Sequence, residues 1–464
     1  MATDRPDPAP LSGPDANPAR ARTRHDDGRV GRSRPPGARR FVVDGSWQRF
    51  DRVLVAGSPL RIFRVTERGA DTLATIERRE QVDASRLVDR LLDGGAIHPS
   101  FDEPRAPNSP VVSGPDARQV TVVTPQLGGI VAGDGRVVID DGSVPPLVGT
   151  ALRLPVNRGP AAARQAGRSF VDTALVAFVD ADVDLPDGWL EPLLHHFEDP
   201  RVGLVAPRVL GERGSPLDLG GTPARIRAGT RVSYVPGAAI VLRVEAFDSI
   251  GGFDERLRFG EDVDLVWRLD EQGWRCRYEP ASTVWHRPRP GLLGRMRQHA
   301  GYGTSAAPLA LRHPGALAPL RSNGWTAAAW ALLLVGHPVA AVMLALGSAG
   351  ALAPKLPDVP PAAAFRLAMH GHLGAAQQLA SAVRRVWWPV VAVGALGSKR
   401  IRWIAAASVL ADLRAAPTDA AYGWGVWNGM IRHRTIAPIV PRLAAWPKRR
   451  PHRQYRRAQY GREG

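Results

Sequence analysis

From residue 120 onward, segments whose apolar positions have the periodicity of a β-strand alternate with segments that have the periodicity of an α-helix. Strands are predicted over residues 120–124, 137–139, 175–179 and 202–206, and helices over residues 161–171 and 189–197. Strands that alternate with helices are typical of an α/β sheet whose strands are largely parallel. The pattern therefore predicts an α/β domain of nucleotide-binding topology over residues 119–300.

A shorter pattern precedes this domain. Residues 47–55 and 60–65 alternate around a Gly- and Pro-containing break, which predicts a β-hairpin. Helices are predicted over residues 66–76 and 84–92. A hairpin followed by two helices indicates a small winged-helix-like module over residues 41–100. Residues 101–118 are rich in Pro, Asn, Ser and Gly and are interpreted as a linker.

The composition changes again over residues 301–446. Residues 325–353 contain no charged side chain and are long enough to span a hydrocarbon core of about 30 Å. We favour a transmembrane helix kinked at Pro338, and a buried helical hairpin is the alternative. Residues 386–397 and 401–411 are each too short to span, so we interpret them as interfacial or hairpin helices, with tryptophans as candidate interface anchors. These anchors are Trp387, Trp388 and Trp403.

Charge and cysteine content restrict the partners. The net charge of +17 indicates attraction to anions, and much of it lies in residues 1–40 and 447–464, which lack apolar periodicity and are predicted to be disordered tails. A solvated or lipid-contacting tail is favoured over a nucleic-acid-binding one. The single cysteine, Cys276, excludes an internal disulfide and a thiolate metal cluster, and it is expected to pack. No amino-terminal signal peptide is apparent.

Two pairs of carboxylates follow predicted strands. Asp140 and Asp141 end one strand, and Asp180 and Asp182 end another. The carboxyl ends of parallel strands form the ligand crevice of open α/β sheets, so these pairs indicate a nucleotide and a metal. Carboxylate oxygens suit Mg²⁺ or Mn²⁺. Turn aspartates before Gly142 and a solvated surface pair are the structural alternatives.

Three further motifs carry candidate chemistry. Glu261 and Asp262 open an amphipathic helix, which places both carboxylates at its positive end. Arg164 lies among the small residues of Asn157–Gly167, where its guanidinium could face phosphate, although such a helix could equally well only pack on the sheet. Arg268 could pair with phosphate or with Asp264. His286 follows a predicted strand over residues 275–278 and is either a metal ligand or a packed histidine.

Four sequence motifs that contain these candidate residues occur in the same order as the motifs of a known family. VVIDDGS, NRGPAAARQAG, FVDAD and GGFDERLRFGEDVDLVWRL are similar to the motifs of inverting family 2 glycosyltransferases of the GT-A fold, over residues 120–290. The resemblance implies that Asp262 is the general base. It also implies donor contacts from Asp140, Asp141, Arg164, Asp180 and Glu261, and a metal held by Asp182 and His286. The expected fold is thus a mixed GT-A sheet, preceded by the winged-helix-like module and followed by a partly membrane-associated helical region.

The other regions extend the resemblance. Residues 41–100, which end in GGAIHP, resemble PqqD-like domains, which implies that a precursor peptide adds a strand to the hairpin edge. With the segment SAAPLALRHPG, the chain as a whole resembles the glycosyltransferases of the mycofactocin system. This implies transfer of glucose from a UDP-sugar to a peptide-derived acceptor, at the cytoplasmic face of the membrane.

Two departures from the family pattern leave alternatives open. Only eleven residues, 126–136, separate the first two strands, and residues 211–229 are short and Gly-rich, so a helix is expected in neither segment. A non-catalytic peptide-binding scaffold is therefore one alternative. A nucleic-acid-binding protein is another, but no basic patch interleaved with aromatic residues favours it, and we expect no nucleic-acid partner.

Overall fold

The computed structural model describes residues 38–100, 116–131, 134–211, 215, 217–287 and 291–444. The predicted disordered tails and the linker lie almost wholly outside these residues. The prediction for residues 211–229 falls partly outside them as well.

The amino-terminal module consists of two small sheets and two helices. The strands are β1 (Phe41–Val43), β2 (Gln48–Phe50), β3 (Val53–Ala56), β4 (Arg61–Arg64) and β5 (Ile97–Pro99), and the helices are α1 (Glu67–Glu77) and α2 (Arg86–Gly94). β2, β3 and β4 form an antiparallel sheet, and β1 pairs with β5. Residues 47–55 are thus two strands rather than one, because the chain reverses at Asp51, whose φ is 47°. α1 begins directly after Thr66, as predicted, whereas α2 begins at Arg86, two residues later than predicted; the side chains of Thr66 and Ser85 cap them.

A mixed sheet forms the central domain. Its strands are β6 (Val120–Gln126), β7 (Val137–Asp140), β8 (Leu152–Arg153), β9 (Leu175–Val179), β10 (Val183–Asp184), β11 (Val202–Leu210), β12 (Ala224–Arg225), β13 (Ala239–Arg243) and β14 (Arg275–His286). Their order is β10-β14-β11-β13-β9-β6-β7-β8, and β12 pairs with β14. β6 to β9 are parallel to their neighbours, whereas β13 runs antiparallel between β9 and β11. This confirms the predicted mixed GT-A-like sheet.

Helices cover both faces of this sheet. They are α3 (Pro160–Gly167), α4 (Glu191–Leu194), α5 (Val244–Ser249) and α6 (Glu261–Glu271). α3, α5 and α6 bury one face together with Phe178, Trp274 and Cys276. α4 and the 3₁₀ turn after it cover the other face through Leu193 and Phe197. Cys276 is fully buried, as expected for a packed residue.

The two expected gaps contain no helix within the described residues. β6 and β7 are adjacent parallel strands although ten residues, 127–136, connect them. The described part of residues 211–229 holds only the two-residue strand β12. The expectation that both segments lack a helix is therefore confirmed for the residues that can be seen.

The remaining elements are mainly helical. They are α7 (Leu292–Thr304), α8 (Ala306–Arg312), β15 (Arg321–Asn323), α9 (Gly324–Leu334), α10 (Pro338–Gly350), α11 (Pro361–Ala382), α12 (Trp388–Gly397), α13 (Lys399–Leu410), α14 (Ala416–His433) and β16 (Arg442–Ala444). α11 continues through a π-helical turn, Val383–Trp387, into α12. β15 and β16 pair in parallel.

The membrane predictions need correction. Residues 325–353 are not one kinked helix: α9 ends before Gly336, whose φ of 93° breaks the helix, and α10 begins at Pro338. Residues 386–397 are likewise the end of a longer helical run. By length and hydropathy, Pro338–Lys355 and Pro361–Gly397 could each cross a membrane, and only 11% and 17% of their apolar windows are buried. Of the three proposed anchors, Trp403 is exposed, whereas Trp387 donates a hydrogen bond to the Ile439 carbonyl.

Two of the carboxyl-terminal helices pack through glycines. A Cβ added at Gly425 of α14 would lie 1.9 Å from the carbonyl oxygen of Ala300 in α7. A Cβ at Gly303 of α7 would lie 2.1 Å from the carbonyl oxygen of Tyr422. The two backbones therefore approach each other more closely than any larger residue permits.

We expect Gly425→Ala to destabilise the protein. Alanine in a helix normally gains up to about 1 kcal/mol over glycine, but the backbone clash here forces α7 and α14 apart at a cost of about 1–3 kcal/mol. Gly371→Ala is the matched control, because a Cβ at Gly371 of α11 meets nothing within 4 Å. Thermal unfolding of both variants checks this, and an equal midpoint for the two would contradict it.

Candidate active site

The site lies at the carboxyl edge of the sheet, where three elements meet. Asp180 follows β9, Gly237 precedes β13, and Glu261 and Asp262 form the first turn of α6. The β9–β13 pairing holds the first two segments together, since Ala239 lies opposite Val179. α3, which packs on β6 and β7, supplies Arg164. Sequence-distant residues are thus brought to one point by the strand order.

Arg164 is the centre of this cluster and is 2% exposed. Its Nη1 donates to Glu261 Oε1 over 2.8 Å, and its Nη2 donates to Asp180 Oδ1 over 2.5 Å. Nη2 also contacts the Gly237 carbonyl oxygen at 3.2 Å, and the guanidinium lies over the Phe253 ring, 5.5 Å from its centroid. These hydrogen bonds hold the two carboxylates and the Gly237 carbonyl together. The contact between this guanidinium and a phosphate stays a prediction.

The burial of this cluster changes its proton equilibria. Burial, followed by the negative charge of Asp262, raises the pKa of Glu261 to about 7. Burial also raises the pKa of Asp262 and of Asp180, although Arg164 opposes each rise. Burial alone would lower the pKa of Arg164, but Asp180 and Glu261 outweigh it and raise that pKa. The acidic groups therefore titrate closer to neutrality than ordinary carboxylates.

Asp262 is fixed by two backbone amides. The Gly237 N–H donates to Asp262 Oδ2 over 2.8 Å, and the Val263 N–H donates to Oδ1 over 2.8 Å. Gly260, at φ 75°, turns the chain into α6 just before the acidic pair. The sequence of residues 234–237 resembles the acceptor-side segment of family 2 enzymes, with Gly237 in its turn, but no chemical role is expected of this residue. In the structure its amide orients Asp262 and its carbonyl accepts from Arg164.

Asp140 and Asp141 are engaged with nearby loops. Asp140 accepts hydrogen bonds from the amides of Ser143 and Leu147, at 2.8 and 3.2 Å. Burial would raise the pKa of Asp140, but these bonds outweigh it and lower that pKa. Asp141 accepts from the amides of Arg158 and Gly159, at 2.8 and 2.9 Å. Asp141 thus holds the turn that leads into α3, whereas Asp140 holds the loop after β7 and also pairs with Arg153, whose Nε lies 3.3 Å from Asp140 Oδ2.

Asp182 and His286 converge beside this cluster. His286 ends β14 and pairs in register with Val183, so its Nε2 lies 3.5 Å from Asp182 Oδ2. Imidazole nitrogen and carboxylate oxygen are both suitable ligands for Mn²⁺. Within the described part of the chain, no third acidic, histidine or cysteine side chain joins them to complete a metal-binding group. The described residues therefore offer two side chains at this point that are suitable as metal ligands.

Arg268 does not reach the site. Its Nε donates to Asp264 over 2.7 Å, and its other nitrogens bind the carbonyl oxygens of Ile250 and Gly252. The interpretation as an ion pair within α6 is therefore confirmed over the phosphate contact. His313 also binds Asp264, at 3.1 Å, which ties the segment after α8 to the back of α6.

Comparison with known proteins agrees with this geometry. Residues 137–222 match the family described as "Glycosyl transferase family 2", and residues 221–301 match "Glycosyltransferase like family 2". The matches include the strand ends, Arg164 and the acidic pair of α6. The mixed sheet and its carboxylate-lined edge thus define a family 2 glycosyltransferase with a GT-A-like fold.

Relatives narrow this class further. The "Pre-mycofactocin glycosyltransferase" of Mycobacterium tuberculosis is 38% identical over 467 residues, which cover 87% of this chain and 96% of the relative. The chain belongs to the pre-mycofactocin glycosyltransferase family. The N-acetylglucosaminyl-diphospho-decaprenol L-rhamnosyltransferase of the same organism is 27% identical over 218 residues, covering 40% of this chain and 68% of the relative.

One solved structure is also similar. It is the mannosyltransferase PcManGT from Pyrobaculum calidifontis in complex with GDP-Man and Mn²⁺. It shares 18% identity with this chain, covers 68% of this chain and 87% of its own, and has a TM-score of 0.38.

The pKa shifts predict a pH dependence for sugar transfer. The raised pKa values of Glu261 and Asp262 mean that the pair loses its last proton near neutrality, so kcat/KM should rise as the pH increases through about 7. Arg164→Met removes the cation that stabilises the ionised forms, and the midpoint of this rise should move to higher pH. Rate profiles from pH 5 to about 9 measure it.

Arg168→Met is the matched control for this shift. Arg168 follows α3 directly and pairs with Asp248 on the surface, away from the cluster. Its profile should keep the wild-type midpoint. Identical midpoints for Arg164→Met and the wild type, in preparations with the same circular dichroism spectrum, would contradict the assigned role of Arg164.

Proposed function

We propose that this protein transfers glucose from a UDP-linked donor to a hydroxyl group of a peptide-derived redox cofactor, mycofactocin or its precursor, with inversion at the anomeric carbon. The position of Asp262 carries the proposal: a carboxylate of raised pKa, oriented by the Gly237 amide, stands at the carboxyl edge of the sheet. The identity to the Mycobacterium tuberculosis relative supports the acceptor class.

In the proposed reaction Asp262 acts as the general base. Its oxygens each accept one amide hydrogen bond, so a lone pair on either remains to take the proton of the acceptor hydroxyl. The acceptor oxygen then forms a bond to the anomeric carbon from the face opposite the nucleotide. The bond from that carbon to the diphosphate oxygen breaks, and UDP leaves with the electron pair. Asp180, Glu261 and the loops of Asp140 and Asp141 would orient the donor.

Asp182 and His286 would hold a divalent ion, Mg²⁺ or Mn²⁺. The ion neutralises the charge that develops on the leaving diphosphate. We expect Asp182→Asn to weaken Mn²⁺ binding in the presence of UDP by about tenfold or more, as measured by titration calorimetry. His195→Ala, which alters a half-exposed histidine on another segment, is the control. Equal affinities in Asp182→Asn and wild type would contradict the assignment.

The amino-terminal module would recognise a precursor peptide. Its three-stranded sheet leaves β2 and β4 as edge strands, to which an extended peptide can add through backbone hydrogen bonds. One face of this sheet is covered, because Val53 and Val55 of β3 pack on Leu356 and Val359, so a peptide would bind at a sheet edge instead. Fluorescence anisotropy with the labelled precursor peptide tests this, and loss of binding on Ile62→Pro in the β4 edge is expected.

The helical region would associate with the cytoplasmic face of the membrane. Pro338–Lys355 and Pro361–Gly397 expose apolar side chains, among them Val339, Met343 and Val393. Lys399 and Arg400 directly follow Pro361–Gly397 and could contact anionic headgroups. Arg384 and Arg385 lie inside this run and pair with Asp419. Recovery of the full chain in the soluble fraction of carbonate-washed lysates would contradict this.

Asp262→Asn tests the catalytic proposal directly. Purified protein is incubated with UDP-glucose, Mn²⁺ and a pre-mycofactocin acceptor, and UDP release and the mass of the acceptor are followed. Loss of a general base should reduce kcat by about 10²- to 10⁴-fold with little change in UDP affinity. Asp248→Asn, an equivalent substitution of a surface ion pair with Arg168, should retain activity. Absence of UDP release by folded wild-type protein would favour a non-catalytic scaffold.

A further inference from the structure

Three polar side chains project from the same face of β14 beneath the amino-terminal module. Arg275, Arg277 and Glu279 alternate along the strand with Cys276 and Tyr278, which point into the opposite core. All three are buried, at 3%, 2% and 7% exposure. A row of ionisable groups in this position needs compensating partners.

The first and third members of the row have such partners. Arg275 donates to Asp199 over 2.8 Å and to Asp93 over 3.0 Å. Glu279 Oε2 lies 3.0 Å from His196 Nε2. Between them, Nε and Nη1 of Arg277 are buried and have no hydrogen-bond partner among the residues that the structure describes. Arg277 is therefore a buried cation without a direct counterion in this part of the molecule.

The neighbouring carboxylates are already bound by other arginines. Asp199 accepts from Arg201 as well as from Arg275. Asp93 accepts from Arg225 as well as from Arg275. Burial and the adjacent arginines lower the pKa of Arg277 to about 9, so it still carries its charge at neutral pH. Arg277 is therefore the arginine of this group whose positive charge has no directly bound carboxylate among the described residues.

Arg277 lines a cavity between the module and the sheet. The cavity measures about 20 Å³. A space of roughly 10–15 Å³ already admits one water-sized particle, so only a very small ligand fits. Phe41, Val82, Val88 and Leu92 form apolar walls, which offer no hydrogen bonds to a water molecule. Arg39 and Arg201 also line the cavity, but each is paired with a carboxylate: Arg39 with Glu198, and Arg201 with Asp89 and Asp199 of the same wall.

We propose that this cavity binds a monovalent anion of halide size, chloride, against the Arg277 guanidinium. The ion balances the buried charge and makes close contacts with the apolar walls, which water cannot do as well. Because α2 and β1 supply one side of the cavity and β14 the other, the bound ion fastens the amino-terminal module to the glycosyltransferase sheet. The site is remote from the Asp262 cluster and takes no part in sugar transfer.

Thermal unfolding of the full-length protein tests the site. At constant ionic strength, replacing gluconate with chloride should raise the midpoint saturably by about 2–4 °C. Arg277→Met removes the charge that needs the ion, so its midpoint should not depend on chloride. Arg52→Gln, which alters an exposed arginine of the module, should respond like the wild type.

Bromide diffraction gives an independent readout that requires no variant. Crystals soaked in sodium bromide should show an anomalous peak within contact distance of Arg277 Nε and Nη1. A water molecule alone at that position, with no bromide peak, would overturn the proposal. A chloride response of the same size in Arg277→Met would overturn it as well, because the ion would then act elsewhere.

Discussion

The buried guanidinium of Arg164 is the interaction on which the site depends. Three carboxylates, those of Asp180, Glu261 and Asp262, are gathered from a strand end and a helix start into a space with little water. Two unit charges 4 Å apart repel by about 4 kcal/mol at an effective dielectric constant of 20, so the group could not remain ionised alone. Arg164 binds two of the three directly and also binds the Gly237 carbonyl. The sheet edge and α6 are thereby held together by one side chain.

The third carboxylate, that of Asp262, has different hydrogen-bond donors from the other two, and this difference suits it to a different chemical role. Asp262 receives only neutral amide donors, from Gly237 and Val263, while the charged hydrogen bonds of Arg164 go to its neighbours. Burial raises the pKa of Asp262, and the two amide hydrogen bonds offset part of this rise and fix the orientation of the carboxylate. A carboxylate of raised pKa that cannot rotate freely is suited to general-base chemistry.

The sheet, the strand ends and α6 could be predicted from the sequence because these features depend on local periodicity. The sequence did not predict the ion pairs of Arg164, because the partners Asp180 and Glu261 lie 16 and 97 residues away and no spacing indicates that they meet. The contacts of Gly237 with Asp262 and Arg164 were not predicted either, because they are made by its backbone. The kinked helix over residues 325–353 was wrong because apolar composition alone does not show where Gly336 breaks the chain. Long-range contacts and backbone conformation were the information that the pattern lacked.

The missing crossover helix need not disturb the nucleotide side of the site. β7 has four residues, so the connection must return only about 13 Å along the strand direction, whereas ten residues can extend to about 33 Å. Side chains then hold this loop in place: Gln126 Nε2 donates to the carbonyl oxygens of Gly128 and Ile130, and the Gly128 amide donates to Ser143 Oγ. Ser143 belongs to the segment that Asp140 orders through its own hydrogen bond. The loop is thus fastened to the aspartate turn itself, and Asp140 lies opposite Gln126 in an intact parallel register.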